Sequence, residues 1–390
     1  MKKIGIVTIL LHVFFLVNAQ SYQKLHFKSI LVDTHNDILT TTFEKNLLFD
    51  QPLAGKTHSD LNRMQAGGVD VQVFSVWCDG SFGPGKAFAR ANQQIDTLYA
   101  WTSRNPNKMM IVTNAAELKQ AVRQHKLAAM MGVEGGHMIE DKLANLDSLY
   151  KRGVRYMTLT WNNSNSWATS AMDEAGEKPL PFKGLTPFGK QVVQRMNELG
   201  MMVDLSHVGE QTFWDAINTV NKPVIVSHSC VYNICPVFRN LKDEQIKAIG
   251  KNGGVIHLNF YSQFVDSNYR SRARAFYQQH KAERDSLVQA LGRGDANEVL
   301  LEKYRAEANN MRPPLSLLLD HLDYIVNLIG VDHVGLGSDF DGISSTPQQL
   351  DDVTDFPVIT RELLARGYSK KDIRKILGGN FIRILKANSK

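Results

Sequence analysis

His35 and Asp37 are the residues of this sequence whose types and spacing most clearly suggest chemistry. They follow the apolar run Ile30-Leu31-Val32, which predicts a short buried strand. Side chains alternate along a strand, so the imidazole and the carboxylate point to the same face. Both groups are ligands for zinc or a similar divalent ion. Alone, the pair also fits an ordinary histidine beside a solvated aspartate, so a metal site requires ligands at the ends of other strands.

Further candidate ligands stand at the ends of other apolar runs. Glu134 closes one such run, His207 and His228 close two more, and Asp339 follows another. Together with the first pair they make three histidines and three carboxylates at the ends of five strands. This set favours a metal site, with two metals bridged by a carboxylate.

The elements that must position these residues form a regular alternation. Short apolar or β-branched runs predict eight strands, over 30–35, 69–76, 128–133, 154–160, 201–205, 223–227, 254–258 and 333–337. Apolar residues at helical spacing predict helices over 87–104, 115–125, 145–152, 187–199, 210–218 and 243–252. The alternation predicts an α/β fold, a (β/α)8 TIM barrel, with a doubly wound open sheet as the alternative. In barrel enzymes the chemistry lies at the carboxyl ends of the strands.

The other histidines and some aspartates are expected to have structural or surface roles rather than to bind a metal. We expect surface positions for the histidines on helices, on loops or away from a strand end, which are His26, His58, His125, His137, His280, His321 and His333. His257 lies within a predicted strand and should line the barrel. Asp33 and Asp204 precede the strand ends and should orient or cap their neighbours. Asp341 should orient a ligand or form the turn before Gly342.

The sequence predicts one domain over residues 20–390, with a charged helical insertion at about 261–312 before the last helix and strand. The periodicity of the insertion predicts two helices, which end at Pro313-Pro314. A solvated excursion is the default interpretation of such a charge run, and a lid or a homodimer contact is the alternative.

Composition and the first residues bear on partners and location. The 390 residues are 43% hydrophobic and 22% charged with a net charge of +6, an ordinary globular composition. The basic residues are dispersed, which argues against nucleic-acid binding. Lys2 and Lys3 before an apolar run predict a signal peptide over 1–19, cleaved after Ala19. We therefore expect an exported protein of the periplasm or the exterior, without a membrane anchor. Three cysteines are too few for a disulfide framework.

These motifs together resemble the membrane dipeptidase (renal dipeptidase, dehydropeptidase) family of zinc peptidases, peptidase family M19. The resemblance runs from about residue 30 to residue 385. Its carriers are Val32-Asp33-Thr34-His35-Asn36-Asp37, His58-Ser59-Asp60-Leu61, Gly132-Val133-Glu134-Gly135-Gly136, Arg155-Tyr156-Met157-Thr158-Leu159-Thr160, Gly184-Leu185-Thr186-Pro187-Phe188-Gly189, Val203-Asp204-Leu205-Ser206-His207, Val226-Ser227-His228-Ser229, Arg239-Asn240 and Gly337-Ser338-Asp339-Phe340-Asp341-Gly342.

The resemblance implies a barrel of the metal-dependent hydrolase type with two zinc ions per chain. By resemblance, His35 and Asp37 hold one ion, His207 and His228 hold the other, and Glu134 bridges them. These are the ligands that the strand ends already suggested.

The resemblance also implies the reaction, which is hydrolysis of dipeptides by a metal-bridging hydroxide. Asp339 would be the acid and base, and Arg239 would hold the C-terminal carboxylate of the substrate. From the residues alone, Arg239 would be an ordinary surface cation. The alternatives are a related binuclear metal amidohydrolase acting on another amide or a lactam, and a non-catalytic binding protein. The presence of every ligand and of Asp339 argues against the last.

One position departs from the family. After Thr158-Leu159-Thr160 the well-known members have a histidine that contacts the substrate, whereas this chain has Trp161. An indole has one N–H donor and no charge, so it does not replace an imidazole that polarises an oxygen. We expect Trp161 to border the substrate, with outward packing under a loop as the alternative.

Overall fold

Nine parallel strands make up the sheet in the computed structural model, which describes residues 22–389. The predicted signal peptide over 1–19 lies outside the described residues. The strands are β1 Leu31–Asn36, β2 Val69–Trp77, β3 Met109–Ile111, β4 Leu127–Glu134, β5 Val154–Thr158, β6 Met202–Asp204, β7 Ile225–Ser229, β8 Val255–Leu258 and β9 Val334–Leu336.

Eight of these strands close into a barrel. β1 pairs with both β2 and β9, and β2 also pairs with β4, so the chain of neighbours returns on itself. The (β/α)8 TIM barrel is therefore confirmed, and the doubly wound sheet is excluded. All eight predicted strands are present. The sequence missed β3, because its three residues are too short for a period and only extend the edge of β4.

The barrel interior is apolar at its amino-terminal end. Alternate residues such as Val71, Met130 and Tyr156 form one buried cluster inside the barrel, to which the C-terminal helix adds Phe381 and Ile384. The intervening residues pack outward against the helices. Because the floor is filled by apolar side chains, polar groups are concentrated at the carboxyl ends of the strands, as is usual for this fold.

The six helices predicted by range are all present, each within two residues of its predicted bounds. Two of them end at Gly200 and Gly253, whose φ angles of 87° and 81° are left-handed conformations that suit glycine. Among residues 22–389, no helix is both long and apolar enough to cross a membrane. The longer α-helices around the barrel are Ile38–Lys45, Leu61–Ala66, Ala87–Arg104, Ala115–Arg123, Leu143–Lys151, Pro187–Leu199, Glu210–Thr219, Asp243–Asn252, Leu315–Ile329, Phe356–Ala365 and Asn380–Asn388.

The insertion lies where the sequence predicts it, between β8 and the helix that precedes β9, but the prediction of two helices is wrong. It has its own small core, to which Tyr269, Phe276 and Leu300 contribute. Single-residue breaks such as His280 and Tyr304 separate its helices, and a periodicity search merges segments that are so closely spaced. Its helices are Ser262–Val265, Tyr269–Gln279, Lys281–Leu291, Arg293–Lys303 and Arg305–Met311.

Two histidines that were expected at the surface are buried. His26 Nδ1 lies 2.8 Å from Thr360 Oγ1, and its Nε2 lies 2.9 Å from Gly67 O. His321 Nδ1 accepts from the backbone N–H of Val231. Sequence position could not reveal these partners, because each comes from a distant part of the chain. His257, by contrast, is buried within β8 on the barrel interior, as expected.

The three cysteines are free and buried, so no disulfide framework is present among them. Residues Cys230 and Cys235 each donate a weak hydrogen bond to a backbone carbonyl, Asn259 O and Gln263 O respectively. Burial raises the pKa of Cys78 to about 12, so this thiol stays protonated.

Candidate active site

All six candidate ligands converge at the carboxyl end of the barrel, with Glu134 at the centre. Its Oε2 lies 3.5 Å from His35 Nε2. Its Oε1 lies 2.8 Å from His207 Nε2 and 3.4 Å from His228 Nε2. The two oxygens of one carboxylate therefore face two different sets of imidazoles, which is the arrangement that a bridging ligand requires.

The remaining two carboxylates lie on the His35 side of Glu134. His35 Nε2 is 3.4 Å from Asp37 Oδ2 and 4.0 Å from Asp339 Oδ1. Two groups of three residues offer ligand atoms close enough to share an ion: His35 with Glu134 and His228, and His35 with Asp37 and Asp339.

Hydrogen bonds at Nδ1 fix which nitrogen of each histidine carries the lone pair. The Tyr156 hydroxyl donates to Thr34 O, so it accepts from His35 Nδ1, 3.0 Å away. His207 Nδ1 lies 3.1 Å from the amide oxygen of Asn162, which only accepts.

His228 also donates a hydrogen bond from Nδ1. The Ser227 hydroxyl donates to Asp204 Oδ2 at 2.6 Å, so it accepts from His228 Nδ1 at 2.8 Å. All three histidines thus donate from Nδ1 and direct the lone pair of Nε2 into the site, the tautomer that a metal ligand needs.

The structure fits a metal centre on two further observations. Among residues 22–389, no hydrogen-bond partner lies at the buried Nε2 of His35, and the Nε2 atoms of His207 and His228 face each other at 3.0 Å. Neighbouring lone pairs repel unless a cation lies between them. A tetrahedral zinc ion places its ligand atoms about 3.3 Å apart, close to the separations around Glu134. Imidazole and carboxylate donors are those that zinc prefers.

The electrostatics of the cluster also favour a cation. Burial lowers the pKa of His35, but Tyr156, Glu134 and Asp37 outweigh burial and raise it well above its usual value. The carboxylates therefore attract a positive charge to His35 Nε2, either a proton or a metal. Burial lowers the pKa of His207 to about 4, so this imidazole is neutral at pH 7.

Asp339 has the environment of an acid–base group. Burial raises its pKa to about 8, and the nearby carboxylates of Asp37 and Glu134 act in the same direction, against the opposing effect of His35. Asn259 Nδ2 donates to its Oδ2 at 2.7 Å, which leaves Oδ1 facing His35. Its backbone φ of 62° is left-handed, a conformation that is uncommon outside glycine and often found at functional sites.

Arg239 is buried beside the candidate ligand His228, with 5% of its surface exposed. Its Nη2 donates to His228 O at 3.3 Å, and its Nε has no partner among the described residues. Phe264, at the base of the insertion, lies 5.2 Å from the guanidinium carbon. A buried guanidinium with so few hydrogen bonds is suited to receive an anion.

Trp161 lies beside His207, and its contact with the substrate stays a prediction. Its ring centroid is 6.5 Å from that of His207 and 4.9 Å from that of Trp77. Trp77 shares its face of β2 with Ser75, whose hydroxyl contacts Glu134. Sequence analysis missed Trp77, although its place at the end of β2 could have indicated it.

We expect Trp161→Ala to change KM and side-chain preference across a dipeptide panel, because the indole borders the space above His207. Zinc content and thermal stability should change little. Trp161→His should change kcat, since it adds a titratable donor at the mouth of the site. Wild-type kinetics for both variants across the panel would show that Trp161 is only structural.

This chain is similar to one known protein family and to several solved structures. The model of the family described as membrane dipeptidase, peptidase family M19, matches residues 19–390. A probable dipeptidase, PvdM, from Pseudomonas aeruginosa has a similar structure, with a TM-score of 0.78 and 24% identity over 95% of this chain and 98% of that one. A metallo peptidase from Rhodobacter sphaeroides, bound to a phosphinate mimic of the dipeptide L-Ala-D-Ala, has a TM-score of 0.75 and 23% identity over 93% of this chain and 100% of that one.

Proposed function

This chain belongs to the membrane dipeptidase family, peptidase family M19, and is a metallodipeptidase; we propose that it hydrolyses dipeptides with two zinc ions. The observation that carries the proposal is the convergence of three Nε2 lone pairs on the two oxygens of Glu134. His35 and Asp37 would hold one ion, and His207 and His228 the other. When bound, such ions lower the pKa of a water molecule and polarise the scissile carbonyl.

Asp339 would move the proton. Its Oδ1 faces the ligand cluster, and burial raises its pKa to about 8, which supports a role in proton transfer. It takes a proton from the attacking water and gives it to the amine that leaves. Asn259 holds the other oxygen and so keeps the side chain oriented.

Arg239 would select substrates with a free carboxylate one residue beyond the scissile bond. The guanidinium is buried next to His228, so a carboxylate bound there makes a desolvated pair. This geometry also suits a lactam with a nearby carboxylate.

Amidation of the substrate's C-terminus should therefore lower kcat/KM. We expect a loss of about 2–5 kcal/mol in transition-state binding, because Arg239 is left as a buried unpaired charge. Steady-state kinetics on matched free and amidated dipeptides measure the effect. Arg239→Met should abolish the distinction between the two substrates, and Arg195→Met, on the outer helix Pro187–Leu199 where Arg195 pairs with Asp147 and Glu198, is the control. If the amidated dipeptide, or a long peptide, has the same kcat/KM as the free dipeptide, Arg239 does not hold the substrate carboxylate.

A second candidate, a related binuclear metal amidohydrolase that acts on another amide or a lactam, is favoured by one observation. Trp161 stands beside His207 where the well-known family members have a histidine. A screen of dipeptides against N-acyl amino acids and lactams separates the two, and turnover confined to dipeptides supports the first.

We also propose that the protein is exported to the periplasm or beyond the cell. The support is the sequence of residues 1–19 alone. Sequencing the N-terminus of the mature protein tests this, since cleavage after Ala19 leaves Gln20 first.

A further inference from the structure

A cleft of about 350 Å³ is lined by His207 and Arg239 and by further residues to which the proposed reaction gives no role. Its walls come from the segment around Lys183, the start of the helix Glu210–Thr219 and the segment 232–242. The volume is at the lower end of the range for sites of small ligands. Because Arg239 and His207 line it, the cleft continues the active site toward the residue that carries the substrate carboxylate.

Both carboxylates of this cleft already have partners. Glu174 accepts hydrogen bonds from the Thr169 hydroxyl and from the backbone N–H of Gln211. Glu210 Oε2 pairs with Lys242 Nζ at 2.7 Å. The lining therefore holds three cations against two carboxylates.

Lys183 is a cation of this lining whose ammonium group makes no ion pair with a carboxylate among residues 22–389. It is exposed at the rim. Arg239 likewise makes no ion pair with a carboxylate within 4 Å in the described chain. The lining of one cleft thus contains a buried guanidinium and an exposed ammonium, neither of them in an ion pair within residues 22–389, and carries a net charge of +1, from three cations and two carboxylates.

We infer that this cleft binds the C-terminal residue of the dipeptide and that Lys183 selects an acidic side chain there. The inference rests on the proposed function, in which Arg239 holds the α-carboxylate. An aspartate or glutamate residue carries a second carboxylate that the ammonium of Lys183 can pair with. The methylene groups of such a residue would lie against apolar lining such as Leu205 and Val208.

The test compares Ala-Glu with Ala-Gln, two substrates that differ in charge but hardly in shape, each with an L or a D C-terminal residue. We expect kcat/KM to favour Ala-Glu by about fivefold, the size of a partly exposed ion pair, and to do so through KM. Lys183→Met should bring the ratio close to one. Lys178→Met is the matched control, since Lys178 is exposed on the same connection and does not line the cleft. It should leave the ratio unchanged.

Three outcomes would overturn the inference: equal kcat/KM for the two substrates in the wild type, a preference that persists in Lys183→Met, or a preference that Lys178→Met removes. Failure to hydrolyse any dipeptide would instead contradict the proposed function. In that case calorimetric titration of the zinc-loaded protein with free glutamate and glutamine decides about the cleft. Tighter glutamate binding that is lost in Lys183→Met supports the inference, and equal binding overturns it.

Discussion

Glu134→Gln is expected to lose both zinc ions and, with them, dipeptide hydrolysis. Each oxygen of Glu134 faces a separate set of imidazoles, at 2.8 to 3.5 Å. A neutral amide keeps the shape but offers one oxygen and no negative charge, so it neutralises neither cation. The loss of zinc affinity should exceed the 10–100-fold that removal of an outer hydrogen-bond partner typically costs.

Zinc analysis by mass spectrometry after dialysis, together with dipeptide kinetics, measures the effect. Glu177→Gln makes the same chemical change at an exposed position and should keep both zinc and activity. A Glu134→Gln protein that retains two zinc ions per chain and wild-type rates would show that Glu134 does not bridge the ions.

Asp339→Asn should keep its zinc and lose most of its turnover. The amide occupies the same space and keeps one oxygen, but it does not take up or release the proton. We expect kcat to fall by about 10²–10⁴-fold, the usual contribution of a positioned acid or base. KM should change less, because Asp339 is not proposed to hold the substrate.

Zinc content and kcat measured on the same preparation separate the two roles that Asp339 could have. Asp285→Asn, on an exposed helix of the insertion, is the control and should behave as the wild type. If Asp339→Asn loses zinc in proportion to activity, Asp339 is a metal ligand, as its place in one of the two ligand groups also allows.

The positions of the candidate ligands could be predicted because the fold itself gathers them. Parallel strands of a barrel end at one face, so a residue that ends a strand is placed there whatever the loops do. His35, Glu134 and His228 were all found by this rule, and the structure brings the Nε2 atoms of both histidines to within 3.5 Å of a Glu134 oxygen. Sequence analysis did not single out Tyr156, whose hydroxyl accepts from His35 Nδ1.

The parts that could not be predicted depend on contacts between distant segments. The Nδ1 atoms of His35, His207 and His228 bond to Tyr156, Asn162 and Ser227 respectively. Only Ser227 is adjacent to its histidine in the sequence. The burial of His321 depends on Val265 O, 56 residues away. Local periodicity does not carry such information. The five helices of the insertion merged into two for a different reason, because breaks of one residue do not interrupt the period.

The stoichiometry of zinc activation tests the central claim most directly. Metal-free protein, prepared with a chelator, is titrated with zinc while zinc binding and hydrolysis of a dipeptide are followed together. We expect no hydrolysis without zinc and a rise that reaches its maximum at two equivalents per chain, since Glu134 and four further ligands, His35, Asp37, His207 and His228, would hold two ions. Full activity at one equivalent, or activity that never depends on zinc, would contradict the account.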